Sequence, residues 1–143
     1  MKKSASREQA LLKAGINFHG HLGPYLALGI RMGLLAVRAL KPSGHHELSA
    51  TVWTPTSPPK SCLLDGVQIS SGCTLGKANI KVREARLTKT KFRKGKRTVT
   101  MELTRDVMKI LRTLTEHTAQ SALSDLALSL LRMSDKQLFV VRE

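Results

Sequence analysis

A chain of 143 residues with 41% hydrophobic content makes one globular domain, 1–143, with room for a core. Met1-Lys2-Lys3 is followed by Ser-Ala-Ser-Arg-Glu-Gln rather than an apolar segment, which speaks against a secretory signal and gives a cytoplasmic expectation. The net charge is +14, and Lys77–Arg97 holds ten Lys or Arg against one acid, Glu84.

Ser4 to Gly15 reads as a short helix, with Ser4 or Ser6 as its cap, Ala10, Leu11 and Ala14 as its stripe, and Gly15 as its end. Ile16 and Phe18 lead into a His19-Gly20-His21 turn. Pro24 then opens a long apolar helix to Leu40, stopped by Lys41-Pro42, because proline's missing N–H costs nothing at a first helical position. About twenty apolar residues are needed to cross a bilayer; this run is shorter and carries Arg31 and Arg38 on one face. Gly29 and Gly33 share another face and admit a close neighbour. The run is therefore read as a buried central helix, with no membrane anchor.

Pro42-Ser43-Gly44 turns the chain, and Glu47–Trp53 alternates as a strand. Pro55, Pro58 and Pro59 break regular structure. From Cys62 to about Ser70 a helix is expected, ending at Gly72. It places Cys62 in the first turn, where a thiolate is stabilised, with Asp65 on the same face. Cys73 follows in a glycine-flanked turn. Gly72–Lys77 does not make a phosphate loop, since the spacing is one residue short and a strand comes next, although Thr74 and Lys77 can each contact an anion.

Ile80, Val82, Ala85 and Leu87 suggest a strand with a bulge near Glu84. Lys94-Gly95-Lys96 turns it back through Val99, Met101 and Leu103, giving a hairpin with a basic tip. Asp106 or Thr104 caps a helix striped by Val107, Ile110, Leu111 and Leu114. A further helix carries Ala122, Leu123, Leu126, Ala127, Leu130 and Leu131, Ser134-Asp135 breaks it, and Leu138–Val141 closes as a strand. The order predicts an α+β fold, an antiparallel sheet packed against helices around the central apolar helix.

Cys62 and Cys73 can form one disulfide, but in a reducing compartment free thiols or metal ligands are favoured. Thiolate and imidazole suit zinc or another divalent transition metal, and His19, His21, Cys62 and Cys73 match a Cys₂His₂ count. Four protein ligands make a closed structural site; three leave an open position for chemistry. Asp65 either orients a ligating histidine or favours the helix N-terminus. In the plain alternative, the cysteines are small core residues and the histidines make local hydrogen bonds.

Two motifs together resemble the FmdE-like family of formylmethanofuran dehydrogenase proteins. Phe18-His19-Gly20-His21-Leu22-Gly23-Pro24 is similar to its opening motif, and Cys62-Leu-Leu-Asp65-Gly-Val-Gln68-Ile-Ser-Ser-Gly72-Cys73-Thr74-Leu-Gly76-Lys77-Ala-Asn79 to its second. Leu138-Phe139-Val140 fits its ending. The resemblance implies an α+β domain, a homodimer, and a metal, commonly zinc, near the His and Cys motif residues. It further implies that Asp65, Gln68, Thr74 and Lys77 either support the metal-holding side chains or bind a ligand themselves. It also implies a link to one-carbon metabolism and a molybdenum or tungsten dehydrogenase complex. Gly23 stands where the family usually has a further cysteine, and Tyr25 where it has glycine; the missing thiol at Gly23 weakens an inherited redox or catalytic role.

Three functions compete on the sequence. One is a metal-binding accessory or enzymatic domain for a small cofactor. Another is a nucleic-acid module using the 77–97 hairpin, although 3% aromatic content offers few stacking platforms. The third is an interaction subunit docking an acidic partner or acidic cofactor.

Overall fold

The computed structural model describes residues 2–143, with side chains from residue 6 onward. Helix α1 spans Lys2–His19 and α2 spans Pro24–Leu40. The expected stop at Gly15 does not occur; the helix runs on to His19 and ends at Gly20, whose φ of +108° an L side chain rarely adopts. Gly15 is buried in the helix instead, where an added Cβ would lie 3.1 Å from Ile30 Cδ1. Of the two serines expected to cap α1, Ser6 lies inside the helix and the Ser4 side chain lies outside the described residues.

Helix α2 is the centre of the core. Leu26, Leu28, Ile30 and Met32 are fully or almost fully buried on successive faces, and each such side chain stabilises by about 1.5–3 kcal/mol. A one-turn 3₁₀ segment, Lys60–Cys62, leads into α3, Leu63–Ser71, which ends at Gly72 with φ +74°. Helices α2 and α3 meet backbone to backbone: a Cβ on Gly29 would lie 2.0 Å from the Leu63 carbonyl oxygen. Ser70 Oγ donates to the carbonyls of Gly66 at 2.7 Å and Gly29 at 3.3 Å across the same contact.

The sheet order is β2-β1-β3-β4-β5, with β1 at Leu48–Thr54, β2 at Ile80–Glu84, β3 at Lys89–Lys94, β4 at Arg97–Leu103 and β5 at Phe139–Arg142. Three ladders are antiparallel, and β1–β2, joined through α3, is parallel. This corrects the bulged strand expected through Leu87. Strand β2 ends at Glu84, Ala85 N–H donates to the Thr54 carbonyl, and residues 85–88 carry the chain across the end of β1 to its other side. Burial alternates along β1, β3 and β4, with Ala50, Val52, Phe92, Val99 and Met101 turned toward the helices.

The remaining helices are α4, Arg105–Arg112, α5, Gln120–Arg132, and the short α6, Asp135–Leu138. Thr104 caps α4 by accepting from Val107 N–H, and Ser134 with Gln137 forms a capping box on α6. Arg31, from α2, donates to the carbonyls at the end of α5 (Leu130, Leu131 and Met133) and to Asp135 at 2.9 Å. Arg38 joins Asp135 from one face of the same helix. Among the described residues no helix is long and apolar enough to cross a membrane.

Candidate functional site

His19 closes α1, and the left-handed Gly20 swings the chain so that His21 folds back beside it, with ring centroids 4.7 Å apart. Pro24 then starts α2, so both imidazoles lie beside that helix's N-terminus. Asp65, in the first turn of α3, lies 2.6 Å from His19 Nδ1 through its Oδ2. A carboxylate only accepts, so Nδ1 carries the proton in this bond and the ring is fixed in orientation. The other nitrogen, Nε2, is buried and has no hydrogen-bond partner among the described residues. Leaving such a group unpaired costs about 1–3 kcal/mol, and a neutral ring held this way presents a lone pair at Nε2.

His19, His21 and Cys62 line one cleft of about 800 Å³. Its walls include Pro24, Tyr25, Leu26, Leu103, Leu111 and Leu114, with Lys60, Arg86 and Arg112 adding cations. A smaller depression on the α3–β2 side also reaches His19 and Cys62 and adds Asp65, Gln68, Leu75 and Val82. The histidine–carboxylate pair thus stands between two hollows. Among the described residues, no three His, Cys, Asp or Glu side chains form a ready-made set that could hold a metal ion.

Cys62 sits one residue ahead of α3 rather than inside its first turn. Burial raises its pKa, and the nearby Asp65 charge raises it further. The expected thiolate stabilisation is therefore reversed, and the free side chain is a thiol. Cys73 does not line the cleft. It is fully buried in the core, its backbone N–H donating to Ser71 Oγ at 3.0 Å and its thiol to the Leu48 carbonyl at 3.4 Å. Gln68, Thr74 and Lys77 build the loop before β2: Gln68 accepts from Leu75 N–H, Thr74 Oγ1 accepts from Lys77 N–H, and Lys77 Nζ donates to the His45 carbonyl. Both cysteines are free.

The cleft's far wall is one that the sequence pattern does not announce. Arg86, Leu87 and Thr88 come from the crossing segment, and Leu111, Leu114 and Leu123 from α4, the loop after it and α5. The leucines are striped as core residues, and no local signal marks them as facing a cavity.

Burial also raises the Cys73 pKa, with smaller opposing effects from Ser71 and Lys77. The folded state therefore holds this proton to higher pH than the unfolded chain does, so its stabilisation is complete below the unfolded thiol pKa and is lost above it. The urea midpoint is expected to fall from pH 8 to pH 10, this thiol contributing at most about 1.4 kcal/mol per pH unit. A Cys73→Ala variant should show a flatter alkaline slope, whatever its absolute stability; an equal slope would remove Cys73 as the cause.

The family model described as FmdE, molybdenum formylmethanofuran dehydrogenase operon, matches residues 18–140, and the chain belongs to this family. Over 77 residues the chain is also 38% identical to an Archaeoglobus fulgidus protein named "Probable S-adenosyl-L-methionine-binding protein". That match takes in 50% of this chain and 20% of the relative, so the aligned part spans only a fifth of the relative's length.

Proposed function

We propose that this member of the FmdE family binds a divalent transition metal, with zinc the best match, at the floor of the cleft. His19 and His21 would hold it with Cys62, and it would serve an accessory or enzymatic step on a small organic molecule of one-carbon or cofactor metabolism. The observation that carries this reading is the buried, partnerless His19 Nε2, opposite an Nδ1 bound to Asp65. A metal-ligating histidine almost always bonds a carboxylate or carbonyl through its other nitrogen. Imidazole and thiol donors suit zinc, and three of them leave a position open. Since no three donors stand ready as a set among the described residues, at least one side chain must shift to complete the site.

Bound there, the metal would supply Lewis acidity. The chain's own residues do the rest of the work in this reading. Asp65 fixes the tautomer of His19; Tyr25, Leu26 and Leu103 keep the floor dry; Lys60, Arg86 and Arg112 attract an anionic ligand. S-adenosyl-L-methionine, the ligand in the Archaeoglobus relative's name, is a second candidate for the cleft and is tested by titration calorimetry with and without metal. A homodimer and association with a molybdenum or tungsten dehydrogenase complex belong to this reading on family grounds.

The test is elemental analysis of protein purified without a metal-affinity tag. Near-stoichiometric zinc is expected in the wild type, and its loss in His19→Ala, His21→Ala and Cys62→Ser. Asp65→Asn, which keeps shape, should weaken metal affinity about 10–100-fold. Cys73→Ser should keep the metal. No metal in wild-type protein after reconstitution, with circular dichroism showing it folded, would remove the site.

A further inference from the structure

The sheet has a second face, separate from the cleft. Directly opposed residues of a ladder point to the same side. The register pairs Thr51 with Lys81 and Lys91, Trp53 with Arg83 and Lys89, and Ser49 with Arg93, while Lys91 pairs with Thr100 and Thr100 with Arg142. Lys81, Arg83, Lys89, Lys91, Arg93 and Arg142 therefore share the side away from the helices, and all but the half-buried Lys89 are exposed. Among the described residues the acid on this side is Glu102, opposite Lys89. Among the described residues none of these six cations forms a salt bridge.

The basic tip expected of the hairpin is, by contrast, partly engaged. Lys94 Nζ donates to the Lys41 carbonyl at 2.8 Å and approaches Glu47 at 3.6 Å, and Arg97 donates to the Ala39 carbonyl at 2.9 Å. These cations satisfy the carboxyl end of α2. Lys96 remains exposed at the tip, and the sheet face carries the larger group, six cations without a salt bridge among the described residues.

Like charges on neighbouring strands repel, so this face costs folding stability that a polyanion would recover. Its cations recur at every second residue of β3, about 6.6–6.8 Å apart, and the row Lys81-Thr51-Lys91-Thr100-Arg142 crosses all five strands with a cation on alternate strands, about 9.6 Å apart. Such a lattice suits a linear polymer of repeating negative charge. Trp53 lies within it, Lys89 Nζ standing 5.2 Å from the ring, and offers a stacking surface for a base. A five-stranded sheet face is too broad to enter a duplex groove, which admits a helix or a two-stranded ribbon.

We infer that the helix-free sheet face binds single-stranded nucleic acid, through phosphate contacts to these cations and stacking on Trp53. The inference is independent of the metal reading. The test uses the 143-residue chain and a short oligouridylate RNA. Trp53 is the chain's one tryptophan, so its quenching reports contact at this face. With about six phosphates neutralised at about 0.7 each, log Kd should change with log salt with a slope near 4, a loss of a few hundredfold in affinity from about 50 to 200 mM.

The triple variant Lys81→Gln, Lys91→Gln, Arg93→Gln should lower that slope by about 2 and weaken low-salt binding at least tenfold. The variant Arg105→Gln, Lys109→Gln, Lys136→Gln, equal in charge but on the helical side, should keep most of the affinity. Any of four results overturns the inference: no quenching at low salt, equal loss in both triple variants, equal affinity for a duplex, or equal quenching by polyglutamate, which would point to an acidic protein instead. Circular dichroism of both variants separates lost binding from lost folding.

Discussion

Gly29→Ala is expected to lower the stability of this protein by about 3 kcal/mol or more, at or beyond the upper end of ordinary overpacking. The added methyl would meet the Leu63 carbonyl oxygen at 2.0 Å and Gly66 Cα at 3.0 Å. Both obstacles are backbone, so no rotamer change relieves them. Gly66→Ala, facing the Leu26 carbonyl at 2.4 Å and Ile30 N at 2.6 Å, should behave alike. Gly44→Ala, with nothing within 4 Å, should change stability by less than about 0.5 kcal/mol. Urea denaturation with an unchanged m-value measures all three. A cost below about 1 kcal/mol at Gly29 would mean that α2 and α3 can part without penalty, contrary to a backbone contact that defines the core. Since whole domains are stable by only about 5–15 kcal/mol, either substitution consumes a large share.

Arg31→Met is expected to cost about 2–4 kcal/mol. Its guanidinium, 12% exposed, satisfies three carbonyls at the end of α5 and one oxygen of Asp135. Methionine keeps the stem's packing but removes the side-chain donor from the Leu131 and Met133 carbonyls, Leu130 still accepting from Met133 N–H at 3.3 Å, and an orphaned acceptor is more costly than a hydrogen bond is stabilising. Arg38 reaches the same carboxylate, but it is 63% exposed, and Arg38→Met should cost less than about 1 kcal/mol. Thermal unfolding of the two variants side by side separates these cases. Similar small losses would show that the bonds to the carbonyls contribute little and that Arg31 acts only through its surface charge.

Much of the architecture was legible because period and punctuation agree. Pro24 and Lys41-Pro42 bracket α2, Gly72 ends α3, and Thr104, one of two expected caps, does cap α4. The Gly29–Gly33 face was legible as a close-packing surface, although its partner, α3, could not be named from spacing alone. Gly15 misled because glycine both ends helices and admits neighbours, and only tertiary packing decides between these. The β2–β3 crossing was hidden for a related reason. Alternation shows which side of a strand is buried, not which strand lies beside it.

The candidate site divides in the same manner. His19, Asp65 and Cys62 stand out by chemical type; of the two roles the sequence leaves open for Asp65, orienting a histidine or favouring the helix N-terminus, the structure is compatible with both, since Asp65 lies in the first turn of α3 and bonds His19 across 46 residues of chain. Cys73 is chemically equivalent to Cys62 in sequence, yet its place in the core depends on the turn after α3. The leucines of the cleft carry no mark at all. A cavity is a property of what fails to fill a space, and that is written in no single segment.

A sheet is one residue thick, and in β3 this makes insertions and deletions far more disruptive than substitutions. Phe92 serves the core while its neighbours Lys91 and Arg93 face solvent. Removing one residue upstream within β3 would exchange these duties, carrying two cations inward and an aromatic ring into water. Point changes on the outer face can therefore accumulate without disturbing the interior, whereas a frame slip of a single position is felt on both sides at once. The charge pattern and the core thereby hold each other in register, and the strand can drift in composition far more freely than in length.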